Sequence, residues 1–82
     1  MRTHFEHIHF VALDHNTKTE KWECVNSRSG SHLGLVQWYA PWRRYCYLPS
    51  GDCVYGSGCL NDIVTFIDGL MAARIDGREV RA

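Results

Sequence analysis

The sequence predicts an α+β domain, an antiparallel β-meander of three to five strands with one C-terminal amphipathic helix packed on one face. Two observations carry this. Up to Leu48 apolar residues alternate with polar ones, the period of a pleated strand, whereas after Cys59 they recur at three- and four-residue steps, the period of a helix. A third is the punctuation: clusters rich in Asn, Ser, Gly and Pro separate the apolar runs, as turns between strands should.

The elements follow in order. From Phe5 to Leu13, Ile8, Phe10 and Ala12 alternate with His7, His9 and Val11, which reads as a first, added strand over 5–13. Asp14-His15-Asn16-Thr17 then reads as a turn whose Asx side chains cap their own backbone. A meander over 21–48 begins with a strand from Lys21 to Asn26 that puts Trp22, Cys24 and Asn26 on one face. The segment Asn26-Ser27-Arg28-Ser29-Gly30-Ser31 ends it as a hairpin loop. His32 to Tyr39 carries Leu33 and Leu35 on one face and Val36 and Trp38 on the other, which suits a central strand. Pro41 suits an early turn position before a fourth strand, Arg44 to Leu48. Cys53-Val54-Tyr55 is either a short edge strand or the crossover.

Beyond Gly56-Ser57-Gly58, the residues Leu60, Ile63, Val64, Ile67, Leu70 and Met71 mark one face of a helix over 59–74. Ser57 or Asn61 suits its cap, Asp62 the positive end of its dipole and Arg74 the negative end. Gly69 inside it calls for close packing, and the charged tail over 76–82 is expected to fray. One helix covers one face of such a sheet. The other face is left for a partner, and a symmetric homodimer is one way to bury it.

At 82 residues the chain is one domain, with room for one core and one surface site. Nine Lys+Arg against nine Asp+Glu leave no net charge, which weighs against a dedicated nucleic-acid binder though not against a local basic patch. No run is long and apolar enough for a membrane span, and Met1-Arg2-Thr3-His4 lacks the apolar segment of a signal peptide, so a cytoplasmic location is expected. In that compartment Cys24, Cys46, Cys53 and Cys59 are expected as reduced thiols. With no Cys-x-x-Cys spacing they serve as buried small hydrophobes unless the fold gathers them around zinc.

The densest chemistry lies between Gln37 and Tyr47. Trp38, Tyr39, Trp42, Arg43, Arg44 and Tyr45 are the candidate ligand-binding residues, because guanidinium forks bind phosphate or carboxylate while aromatic faces stack on bases or on guanidinium planes. Against this stands a structural role in which Trp38 and Tyr45 fill the core and the arginines are ordinary hairpin charges. His7 and His9, two apart on a strand, would share a face as half of a metal site, with His15, Asp14 or Glu6 as a third ligand. More simply, they are unliganded histidines on a polar face. No catalytic constellation is present: there is no Gly-x-Ser-x-Gly, the glycines of Gly51–Gly58 lack the Lys-Ser/Thr of a phosphate loop, and Cys46 or Cys59 as nucleophile would need a histidine beside it. Neither a cofactor nor an enzymatic activity is therefore expected.

Trp22-Glu23-Cys24-Val25-Asn26, Ser29-Gly30, Leu33-Gly34, Trp38-Tyr39, Pro41-Trp42-Arg43, Tyr45-Cys46-Tyr47, Pro49 and Cys59-Leu60-Asn61-Asp62-Ile63 with Phe66-Ile67 together resemble a group of short uncharacterised bacteriophage and prophage proteins. The resemblance runs from Trp22 to Leu70 and leaves the first twenty residues outside it. It implies a context in the cytoplasm of a phage host, where small non-enzymatic proteins counteract host defence by sequestering a nucleotide-like signal or by blocking a host protein. That is the leading expectation. A nucleic-acid module using the sheet face and the turn at 41–44 is the second, and a metal-dependent enzyme using His7 and His9 the third.

Overall fold

The computed structural model describes residues 2–14 and 19–81. Four strands, β1 (Ile8–Asp14), β2 (Lys21–Asn26), β3 (His32–Tyr39) and β4 (Arg44–Pro49), form one antiparallel sheet in chain order, followed by a single helix, α1 (Ser57–Arg81). This is the α+β meander that the change of period predicts. Cys53, Val54 and Tyr55 belong to the crossover, and the turn expected at Asp14 to Thr17 falls mostly outside the described residues.

Register decides which face is core. Phe10 lies opposite Cys24, Trp22 opposite Val36, Val36 opposite Tyr47 and Trp38 opposite Tyr45, so these residues share the face that α1 covers. From the helix side, Phe66 enters between β1 and β2: its ring stacks on Phe10 at 3.9 Å between centroids and meets Trp22 edge-on at 5.2 Å. Ile63 and Leu70 join it in the core, and Cys59, Ile67 and Met71 pack at the margin. The helical face is therefore centred on Ile63, Phe66 and Leu70. Leu60 and Val64, both expected inside, are exposed because the helix has more apolar circumference than one small sheet can cover.

β3 does not keep strict alternation. Its pairing slips between Cys24 and Val25, which leaves Leu33 as the extra residue of a bulge and turns it toward the core beside Val36 and Trp38. Gly34 follows because nothing larger fits: a Cβ there would lie 2.5 Å from Tyr47 Oη and 2.6 Å from the Leu48 carbonyl oxygen.

The helix starts at Ser57, with the Leu60 N–H bonded to the Gly56 carbonyl at 3.1 Å. Gly56 thus holds the cap position rather than Ser57 or Asn61, and Asp62 stands beyond the first turn, which carries no acidic residue. Where a frayed tail is expected from Asp76, the backbone stays helical to Arg81, since each residue added to a formed helix gains a bond without a new nucleus. Twenty-five residues make a rod about 37 Å long. It sets the longest dimension of the molecule, 42 Å against 22 and 21 Å. Among the described residues no helix is long and apolar enough to cross a membrane.

Candidate interaction site on the β3–β4 hairpin

The hairpin between β3 and β4 is built by its own sequence. Pro41 supplies the φ that a tight turn needs at its start, and Ala40–Trp42 form a single 3-10 turn. Arg43 then reverses the chain in the left-handed region, φ 53° and ψ 47°, and its N–H closes the turn on the Ala40 carbonyl at 3.1 Å. Among the described non-glycine residues Arg43 alone has positive φ. A side chain there costs conformational energy that asparagine or glycine would avoid.

Pleating divides the six predicted ligand-binding residues between two faces. Trp38 and Tyr45 lie on the core side, edge to face at 5.4 Å, with the Arg74 guanidinium 4.1 Å above the Trp38 ring and the Tyr45 hydroxyl accepting the Glu20 N–H at 3.0 Å. Tyr39, Trp42, Arg43 and Arg44 stay together outside. Tyr39 pairs with Arg44 across the ladder and meets Trp42 edge-on at 5.2 Å, while Trp42 remains 66% exposed. The result is an exposed aromatic pair flanked by two exposed arginines. It offers apolar area, planar stacking faces and bidentate donors.

The histidines do not assemble as the spacing predicts. β1 begins only at Ile8, so His7 sits in the bend before the strand, its carbonyl accepting the Ser27 N–H at 3.0 Å. His9 stacks instead on His4, with ring centroids 5.2 Å apart and planes 5° from parallel. Parallel rings hold their lone pairs in parallel planes, which do not converge on one ion. The His9 and His4 Nδ1 atoms are moreover engaged with Ser27 Oγ at 2.9 Å and Thr3 Oγ1 at 3.1 Å. His15 lies outside the described residues, and among the described ones no three His, Cys, Asp or Glu side chains cluster to hold a metal ion. A shallow cleft of about 560 Å³ does open between Glu6, His7, Asn26, Ser27 and Arg28, at the opposite end of the sheet from Trp42.

Comparison with known proteins places this geometry in context. A protein of Acholeplasma phage L2, described as an uncharacterised 9.3 kDa protein, is 31% identical over 70 residues, 84% of this chain and 90% of the relative. The chain belongs to the family of that small phage protein. A match of this length necessarily includes β2, β3, the hairpin and β4. No family model and no solved structure matches the chain.

For this phage protein the cysteines divide by environment. All four thiols are free, and Cys24 lies wholly buried opposite Gly34. Burial pushes its pKa up to about 11, with Cys59 and Cys53 near enough to add to the rise. Beside it runs a hydrogen-bonded chain that sequence reasoning missed. The Tyr55 hydroxyl donates to the Leu33 carbonyl at 2.6 Å, which spends its only hydrogen, so the Tyr47 hydroxyl, 2.6 Å away, must donate to Tyr55. The Cys24 thiol lies beside Tyr47, near enough for each to influence the other's proton. Burial is also what raises the pKa values of Tyr47 and Tyr55. The chain ties the β3 bulge, β4 and the crossover together. Its only sequence signal is a glycine in an otherwise bulky strand. Cys59, half-buried against the core at the start of α1, packs as a small hydrophobe.

Proposed function

We propose that this phage protein is a binding protein that uses the hairpin of Tyr39, Trp42, Arg43 and Arg44 to block a protein of the host cell, as an agent against host defence. The observation that carries the reading is Trp42, a large apolar side chain 66% exposed on a rigid turn beside an aromatic partner and two guanidinium groups. Trp, Tyr and Arg are the residue types that dominate protein-binding hot spots. Small-molecule sites bury most of their ligand in a concavity, so a large side chain left as exposed as Trp42 favours a protein surface over a sequestered nucleotide. Overall neutrality still weighs against a nucleic-acid backbone as the partner. Membership of a phage family supplies the host-directed context.

The test compares wild type, Trp42→Ala, Arg43→Ala and Arg43→Lys. Host lysate is passed over each immobilised protein, and the captured host protein, once identified, is titrated by calorimetry. Truncating Trp42 should cost roughly 2 kcal/mol or more of binding. Losing the Arg43 fork should weaken binding about ten- to hundredfold, with lysine rescuing only part of it. Parallel titrations with nucleotides and single-stranded DNA should leave the fluorescence of Trp42 unchanged. Equal affinity of all four proteins for the captured partner would overturn the assignment, and nucleotide binding that Arg43→Ala abolishes would replace it.

A further inference from the structure

We infer that the protein pairs with a second copy of itself edge to edge, β4 against β4 about a two-fold axis through Cys46. The inference is argued independently of the hairpin reading, and its surface shares only Arg44 with that site. It starts from the free edges of the sheet. β1 and β4 are the outer strands, and the N-terminal segment folds back along β1: Phe10 N–H bonds the Thr3 carbonyl at 2.9 Å, and His4 bridges His9. Among the described residues no backbone hydrogen bond is made along the outer edge of β4, where only the Met71 side chain reaches in. The Tyr45 N–H points away from β3, to Met71 Sδ at 3.4 Å, and alternation therefore turns the backbone groups of Tyr47 outward as well. The Ser50 N–H, bonded inward to the Leu33 carbonyl at 3.0 Å, fits the same alternation. A thioether is a weak acceptor that a carbonyl displaces readily.

Above this edge the helix offers matching apolar surface. Met71 fixes which flank of α1 overhangs β4. Leu60 and Val64 fall within roughly 40° of Met71 around the axis, on the same flank, at 100° per residue. They are 49% and 55% exposed, and Val54 in the crossover is 94% exposed. A second copy suits this surface because the pairing is self-complementary. With the axis at Cys46, Tyr45 lies opposite the partner's Tyr47 and Arg44 opposite the partner's Leu48, so every outward N–H of the paired stretch meets a carbonyl and no like charges oppose. Pro49, which has no N–H to give, stays outside the pairing. The strip is about 20 Å long and about 20 Å deep, the length of β4 and the thickness of the two layers, or about 400 Å² of flat contact per copy. At roughly 800 Å² in total that is below the size of a standard interface and in the range of weak, transient association, so the dimer should be weak and readily reversible. It joins two sheets into one of eight strands.

Cys46 makes the geometry testable, since it faces the side of the sheet away from α1 and would oppose its own copy in a non-hydrogen-bonded pair. Such a pair has Cα atoms about 4.5 Å apart, within disulfide reach. Diamide, which takes up the two electrons and two protons of a thiol pair, should therefore give a disulfide-linked dimer on a non-reducing gel from wild type and from Cys53→Ser, but not from Cys46→Ser. Sedimentation equilibrium of the full chain should show a dimer dissociating in the micromolar range, and Val64→Glu, at an exposed position, should make it monomeric with its circular dichroism unchanged. A monomer throughout that range would overturn the inference. So would cross-linking that survives Cys46→Ser, or a folded Val64→Glu protein that remains dimeric. A dimer broken by Val11→Glu and not by Val64→Glu would place the contact on the open sheet face instead.

Discussion

Gly34→Ala should be among the most damaging single-atom additions to this protein. The new Cβ would lie 2.5 Å from Tyr47 Oη, 2.7 Å from Tyr47 Cζ and 2.6 Å from the Leu48 carbonyl oxygen. None of these atoms retreats cheaply. The Leu48 oxygen is backbone opposite Leu35 in the ladder, and the Tyr47 ring is held by the hydroxyl bond to Tyr55, which is itself fixed to the Leu33 carbonyl. Overpacking of this kind costs about 1–3 kcal/mol. Displacing Tyr47 also breaks a part-buried hydrogen bond, about 1–3 kcal/mol more, while the smaller unfolded-state entropy of alanine returns about 0.4–1 kcal/mol. The net loss is about 1–5.6 kcal/mol, a fall in Tm of roughly 4–45 °C for a domain of this size. Gly58→Ala is the control, because a Cβ there meets nothing within 4 Å and the helix gains a better former. Urea and thermal denaturation followed by circular dichroism measure both. A Gly34→Ala protein within about 0.5 kcal/mol of wild type would refute the packing argument.

Phe66→Ala removes the ring between Phe10 and Trp22 and should cost about 3–5 kcal/mol, enough to undock α1, read as loss of cooperative unfolding. Arg43→Gly should raise stability by roughly 1 kcal/mol in chemical denaturation by relieving the left-handed backbone, while weakening binding through the hairpin as Arg43→Ala does. In native protein Cys24 should resist alkylation at pH 8 while Cys46 reacts, mass spectrometry of the labelled peptides giving the order, because Cys24 is buried and its pKa stands at about 11. The raised pKa also sets a sign: between pH 9 and 11 the folded state keeps a proton that the unfolded state releases, so stability should fall as pH rises through that window, less steeply in Cys24→Ala.

What the sequence by itself determined is the class of fold and the place of its elements. A period of two before Leu48 and of 3.6 after Cys59 is set by backbone geometry, so the meander, the helix and the hairpin turn at Pro41 were all legible from residues near one another in the chain. The density of aromatic and arginine residues around that turn was legible too. The tertiary structure decided how they are used. Which of Trp38, Tyr39, Trp42 and Tyr45 face outward depends on which side of the sheet α1 covers, and no local pattern states that. The slip that turns Leu33 inward, and the need for Gly34, arise from a partner strand and a tyrosine ring that the chain brings back from beyond the next turn. Leu60 and Val64 match the core periodicity as well as Ile63 does, yet stay exposed because a small sheet covers only part of a helix's circumference. His9 stacks on His4 for a similar reason: the N-terminal segment folds back along β1, and no local pattern states that.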